Sequence, residues 1–226
     1  MTGVVGWEEA ASGHDAGMAD SVEDAAVGRL RVAVRRLAVL TRARARTGRS
    51  HDDADEATGT VDTDDAHGFD PFPLLRALHE HGARVVVMGQ VAGIMHGSRE
   101  LTGDLDLLWD GAGDQAPALA AAFGSVAASL TDDAGVAVDC GPAAFALPKL
   151  LFRGPTYSGD CCTPALPWGD LPVADFLTRC QVATAREGFE VRYLDRADLI
   201  WMRRAVGRTK DLRRADELEQ LADRAD

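Results

Sequence analysis

Val85-Val86-Val87-Met88-Gly89-Gln90, continued through His96-Gly97 to Thr102-Gly103-Asp104-Leu105-Asp106-Leu107-Leu108, decides how this chain is read. The apolar run closed by Gly89 predicts a buried strand over 84–88, a short helix over 90–96 and a second strand over 104–109. Side chains alternate along a strand, so Asp104 and Asp106 share one face while Leu105 and Leu107 share the other. Two such carboxylates lie ~7 Å apart at a rise of ~3.3 Å per residue and can reach one Mg²⁺ or a close pair. That ion takes one or two carboxylates and completes its shell with water and phosphate oxygens. A turn at Gly89-Gln90 would aim the amides of a helix start at an anion beside the metal. The plainer alternative is a pair of solvated aspartates near a turn.

Outward from this stretch, Asp70 is placed to cap a helix with Pro71 in its first turn, an apolar stripe of Leu74, Leu75 and Leu78, and Gly82 at its end. Asp114-Gln115-Ala116-Pro117 opens an Ala-rich helix expected to reach Leu130. Val136–Asp139 is a weak strand. Residues 140–170 are rich in Pro and Gly, with extended pieces at Leu150-Leu151-Phe152 and Thr156–Thr163. Leu171 to Ala185 reads as a helix and Phe189–Leu194 as a strand. Asp195-Arg196-Ala197-Asp198 has the spacing of a capping box and opens a helix to Gly207, and a last helix runs from Lys210 to Leu221. Strands alternating with helices and no internal repeat indicate a mixed α/β (α+β) fold, a small sheet covered by helices.

The first third reads differently. Residues 1–26 are Gly-, Ala- and acid-rich and expected to be poorly ordered. Leu30, Val34, Leu37 and Leu40 or Thr41 have helical spacing among arginines, predicting a basic amphipathic helix over 27–46 that docks on the domain, touches RNA or meets a partner. Residues 47–69 carry many aspartates and no apolar run, and read as a flexible linker. Residues 1–69 thus form an N-terminal extension and 70–226 the folded domain.

Over 226 residues, 46 % are of apolar type and the formal charge is −12, which argues against unspecific nucleic-acid binding. Acids crowd 51–70, whereas the C-terminal third is locally basic. That basic face beside an acidic site suits a polyphosphate; two solvated helix faces would look the same. No run approaches the ~20 apolar residues that span a bilayer, no signal peptide opens the chain, and the expected location is the cytoplasm. Cys140, Cys161, Cys162 and Cys180 lack zinc-site spacing and are expected as buried thiols. His96, before Gly97, suits a helix C-terminus. Trp168, Trp201 and Tyr193 are expected in the core or an interface.

Taken together, the strand closed by Gly89, the Thr102–Asp106 strand, Asp198-Leu199-Ile200 and Gly207-Arg208-Thr209-Lys210-Asp211 resemble the nucleotidyltransferase superfamily. The nearest branch is the AbiEii-type bacterial proteins, several of them toxins of toxin–antitoxin pairs. The resemblance spans about Asp70 to Leu221. It implies a polymerase-β-like core in which Mg²⁺-bound nucleoside triphosphate, ATP or another, is attacked at the α-phosphorus by a hydroxyl of a tRNA, a protein or a small molecule. Carried onto this chain, it puts Gly89 and Gln90 against the phosphates and Mg²⁺ on Asp104 and Asp106. Arg203, Arg208 and Lys210 would meet the triphosphate charge, and Asp211 would play a supporting polar role. The chain departs from the family pattern at Gln90, usually Gly or Ser, and at Arg203, commonly Lys. In the third-carboxylate strand Gly159-Asp160-Cys161-Cys162-Thr163, Cys162 stands at the expected acid. Either Asp160, two residues earlier on the same face, serves instead, with Asp139 ranked behind it, or the protein is a degenerate binding or regulatory partner. An antitoxin-like partner is a further expectation.

Overall fold

In the computed structural model, residues 22–50, 53–54 and 59–223 are described. Residues 1–21, expected to be poorly ordered, lie outside them. The fold is mixed α/β, with seven α-helices and eight strands among the described residues. The helices are α1 (Ala25–Thr41), α2 (Phe72–Glu80), α3 (Gly89–Met95), α4 (Ala116–Ser125), α5 (Val173–Phe176), α6 (Arg196–Val206) and α7 (Thr209–Asp223). The strands are β1 (Val86–Val87), β2 (Leu105–Leu108), β3 (Ser129–Thr131), β4 (Ala137–Val138), β5 (Lys149–Arg153), β6 (Ser158–Cys162), β7 (Gln181–Thr184) and β8 (Glu190–Tyr193). They form one sheet in the order β4-β3-β5-β6-β2-β1-β8-β7. The β2–β6 and β1–β8 pairs are parallel and the rest antiparallel.

Local signals account for the elements around β1 and β2. Asp70 accepts the Phe72 amide at 3.0 Å and starts α2, whose stripe of Leu74, Leu75 and Leu78 is buried. Asp195 caps α6 by accepting from Ala197 N at 2.9 Å, and Gly207 closes it in the left-handed region, turning the chain into α7. The capping box is not completed. Asp198 is instead held by Arg179, whose Nε and Nη2 donate to it at 3.1 and 2.8 Å.

Register sorts the sheet into two faces. Leu105, Leu107, Cys161, Leu150, Phe152 and Leu130 alternate inward and are buried. Phe123 of α4 meets Phe152 and Phe145 here, with ring centroids at 5.2 and 5.5 Å. The opposite face carries Asp104, Asp106 and Asp160, flanked by α3, α6 and α7.

Three readings are corrected. The Ala-rich helix stops at Ser125, because Ala127 turns the backbone at φ 53° and 129–131 then pairs with β5. Only Val173–Phe176 of the 171–185 helix is helical, while Gln181–Thr184 is β7, paired with β8. The segment read as a linker makes 3₁₀ turns at Thr60–Asp62 and Asp64–Ala66, with Thr60, Thr63, Asp65, Ala66 and Phe69 buried. Its polar residues are buried through hydrogen bonds, which hydropathy does not register. The helix predicted over 27–46 spans Ala25–Thr41. It docks on α3, burying Val27, Leu30 and Leu37, and Arg29 Nε donates to Met95 O at 2.9 Å.

The four cysteines are free, Cys140 being exposed rather than buried. Trp201 is 48 % exposed, whereas Tyr193 belongs to the core. No helix among the described residues is long and apolar enough to cross a membrane.

Candidate functional site

β2 delivers the two aspartates to the mouth of a cavity of about 390 Å³ between the sheet face and the C-terminal helices. Gly89, Gln90, Asp104, Asp106, Asp160, Arg203, Arg208, Lys210 and Asp211, singled out from sequence, all line it. The structure therefore brings the whole set together across strands, helices and loops far apart in the chain.

Register places Asp160 and Cys162 relative to the aspartate pair. Parallel pairing puts Asp160 opposite Asp106, and Cys162 opposite Leu108. Directly paired residues present their side chains on the same face, so Asp160 stands beside the Asp104–Asp106 pair and Cys162 one step further along. Asp139 follows β4, four strand spacings from β2 or roughly 19 Å, and takes no part in the cavity.

Gly89 makes the arrangement possible. Its φ is +60°, and a Cβ there would sit 1.8 Å from Asp106 Oδ2. Only a residue without a side chain lets the backbone turn come this close to the carboxylate. Burial, then the neighbouring Asp104 and Asp160, hold the Asp106 carboxyl well above the ordinary range, while Arg214 and Arg208 pull it back.

Asp104 is oriented from an unexpected direction. Thr60 Oγ1 donates to its Oδ1 at 2.8 Å, and Thr102 Oγ1 bonds the same oxygen. Thr60 Oγ1 also accepts the Gly103 amide at 2.8 Å. Gly103 is required for this approach, since a Cβ would meet the Ala66 backbone at 2.6 Å. Thr60 lies 44 residues from Asp104, and no spacing signal in the sequence links them.

Gln90 and Arg203 form the frame behind the Gly89 turn. Gln90 is buried. Its Nε2 donates to Ser98 Oγ at 3.0 Å and Glu100 O at 2.8 Å, and its Oε1 accepts from Arg203 Nη2 at 2.8 Å. Arg203 also donates to Gly89 O at 3.1 Å and Arg214 O at 3.0 Å. Burial and the adjacent Arg214 push its pKa down to about 10. A planar fork can serve several fixed acceptors at once, which a lysine ammonium cannot do in the same geometry. Both residues named for phosphate contact thus direct their side-chain hydrogen bonds at the protein scaffold.

The cations that face the cavity come from the α6–α7 turn and α7. Arg208 Nε donates to buried Asp211 at 2.6 Å. Arg214 was not singled out from sequence. It is buried on the α7 stripe Asp211, Arg214, Ala215 and Leu218 and pairs with Glu100 at 2.6 Å. Charged residues at the core-facing positions of an amphipathic helix were the available signal.

No family model, curated protein or solved structure matches this chain.

Among the described residues, no group of three or more His, Cys, Asp and Glu forms a ready-made metal cluster. The carboxylates instead occupy one wall of an open cavity, with guanidinium and ammonium groups on the other. The raised proton affinity of Asp106 expresses its burial first and then the nearby charge of Asp104 and Asp160, and a bound cation would relieve both. Hard oxygen donors that leave room for water and phosphate oxygens fit Mg²⁺. Such a cavity presents carboxylates to a cation and basic groups to a polyanion.

His96 lies outside this cavity. It ends α3 and bonds Leu194 O through Nε2 at 2.8 Å, and burial lowers its proton affinity.

Proposed function

We propose that the protein is a Mg²⁺-dependent nucleotidyltransferase that moves a nucleoside monophosphate from a nucleoside triphosphate to an acceptor hydroxyl. The carrying observation is the single cavity in which Asp104, Asp106 and Asp160 face Arg208, Lys210 and Arg214. In this reading Asp104 and Asp106 hold Mg²⁺, which when bound neutralises charge developing on the attacking and leaving oxygens. Arg208, Lys210 and Arg214 meet the triphosphate and stabilise the pyrophosphate as it leaves. Asp160, beside Asp106 on the neighbouring strand, takes the acceptor's proton as general base. Thr60 and Thr102 fix Asp104. Gln90 and Arg203 hold the Gly89 turn against Asp106, so that the carboxylates need little reorganisation when nucleotide enters.

Calorimetry with ATP, GTP, CTP and UTP tests the reading. Binding is expected with Mg²⁺, lost with EDTA, and lost in Asp104→Ala and Asp106→Ala. Transfer of α-labelled nucleotide should disappear in the same variants. If the wild type binds none of the four with Mg²⁺ at millimolar concentration, the proposal is wrong.

A further inference from the structure

Beyond Asp160 the aspartate-bearing face of the sheet continues as an open groove among the described residues, with Ser50 at its edge. Register lays one row straight across four strands, from Asp106 to Asp160, Leu151 and Thr131. A second row begins beside it, from Ser158 to Arg153 and Ser129. Leu151 and Thr131 are half-buried, and Ser129 and Arg153 are exposed. These residues line a groove of about 160 Å³, separate from the nucleotide cavity. Asp160 is the one described residue that lines both. A general base between nucleotide and acceptor has to occupy such a boundary.

The groove's chemistry selects its occupant. Leu151 gives an apolar floor between the carboxylate of Asp160 and the hydroxyl of Thr131. Those two lie two strand spacings apart, about 10 Å, which is the span of one ring with its substituents. Ser158 is 5 % exposed, and its Oγ has no hydrogen-bond partner among the described residues. A buried hydroxyl left without a partner costs stability, so each one calls for an explanation. Little positive charge is left over here. Lys149 is engaged by Asp133 at 2.9 Å and Asp160 at 3.4 Å, and Arg153 is paired with Asp65. An apolar floor with hydroxyls around it and no spare cation suits an uncharged polyol ring, whose C–H face and hydroxyls differ in just this way.

We propose that this groove is the acceptor subsite and takes a ring with a vicinal diol, ribose or another sugar, free or at the end of a longer molecule. The inference rests on the nucleotidyltransferase reading. One diol oxygen forms the bond to the α-phosphorus and its proton goes to Asp160. The bond from that phosphorus to the pyrophosphate oxygen breaks, and the electron pair leaves with pyrophosphate. Thr131 bonds one remaining ring hydroxyl, and Ser158 Oγ, shielded from solvent and unpartnered as it stands, reaches another by rotating about its Cα–Cβ bond to a neighbouring staggered position.

The test uses the full chain with Mg²⁺ and a non-hydrolysable ATP analogue. The probes are methyl β-ribofuranoside and short RNAs ending in either a 2′,3′-diol or a 2′,3′-dideoxy ribose, followed by saturation-transfer NMR and titration. Diol binding is expected to weaken at least tenfold in Ser158→Ala and in Thr131→Val, with analogue affinity within twofold of wild type. Ser158→Ala should melt no lower than wild type, since it removes an unpartnered hydroxyl, so a loss of binding there cannot be misfolding. Binding of both diol probes means a free sugar suffices; binding of the diol RNA alone means the ring is presented on a longer chain. Three results would each overturn the subsite: no diol probe binds, both variants bind like wild type, or the dideoxy RNA binds as well as the diol. If the analogue itself fails to bind, the function reading falls separately, and the groove is judged by the same sugar titration without nucleotide.

Discussion

Asp106 and Asp160 are direct partners in the parallel β2–β6 pair, so two carboxylates from strands about 50 residues apart share one wall of a cavity whose other wall is cationic. A native state that concentrates negative charge in this way gives up stability for a site, a recurring feature of functional centres.

The first prediction follows from the raised proton affinity of Asp106. Its folded state binds a proton more tightly than the unfolded chain does. This group's contribution to stability is therefore fully present below the ordinary aspartate pKa and is lost as pH rises through the higher folded value. Asp106→Asn removes the penalty. It should melt above wild type near pH 7 without divalent cation, each ~1 kcal/mol appearing as about 2–4 °C in a domain of this size. The difference should shrink as pH falls toward 4. Mg²⁺ should raise the wild-type Tm and leave the variant unmoved. A variant that melts lower than wild type at every pH would contradict the electrostatic account.

Gly89→Ala tests the close approach of backbone and carboxylate. The added Cβ would clash with Asp106 Oδ2 and impose a left-handed backbone on alanine. At such a site the substitution destabilises by more than the ~1 kcal/mol that it gains where the backbone is compatible. We expect a clear loss in urea unfolding together with loss of Mg²⁺-dependent nucleotide binding. Unchanged binding would mean that the turn has no part in shaping the site.

Much of this architecture is legible before any coordinates. The apolar run ended by Gly89, the alternation around Asp104 and Asp106, and the caps at Asp70, Asp195 and Gly207 are local signals, and each has its expected structural consequence. Most residues that line the cavity are legible through the resemblance, whereas composition alone does not separate Arg208 and Lys210 from the charged run around them. What escaped is non-local or ambiguous. Val182-Ala183-Thr184 is too short for its period to separate strand from helix, and its partner β8 decides the matter. Thr60 is joined to Asp104 by hydrogen bonds that leave no pattern in the chain. Gln90 and Arg203 look like ligand contacts by type, and only their partners reveal a frame.

That distinction between frame and ligand contact is itself testable. Arg203→Lys removes a buried fork that serves Gly89 O, Gln90 Oε1 and Arg214 O. Each buried acceptor left without a donor costs ~1–3 kcal/mol, so a loss of about 3 kcal/mol or more is expected in chemical denaturation. Arg208→Ala should lose less stability and more binding. The Arg208 side chain is 50 % exposed, and its removal leaves one oxygen of buried Asp211 without this donor, a cost of ~1–3 kcal/mol, while nucleotide affinity falls about tenfold or more. If Arg203→Lys is as stable as wild type and loses nucleotide affinity alone, Arg203 is a phosphate ligand after all.

The last prediction concerns the residues before Asp70, which sequence sets apart as an extension. Val27, Leu30 and Leu37 of α1 are each at most 1 % exposed, and Ala66 and Phe69 are at most 2 %. Burying a large apolar side chain contributes ~1.5–3 kcal/mol, whereas a whole domain has a net stability of about 5–15 kcal/mol. Thr60 also supplies hydrogen bonds to Asp104 and Gly103. A fragment beginning at Asp70 would uncover the α3 surface beneath α1 and release Asp104 from Thr60. It should therefore bind a hydrophobic dye, give weak near-ultraviolet dichroism and unfold without a sharp transition. If the fragment instead melts cooperatively within a few degrees of the full chain, α1 and the 60–69 segment are dispensable attachments and their packing contributes little to holding the site.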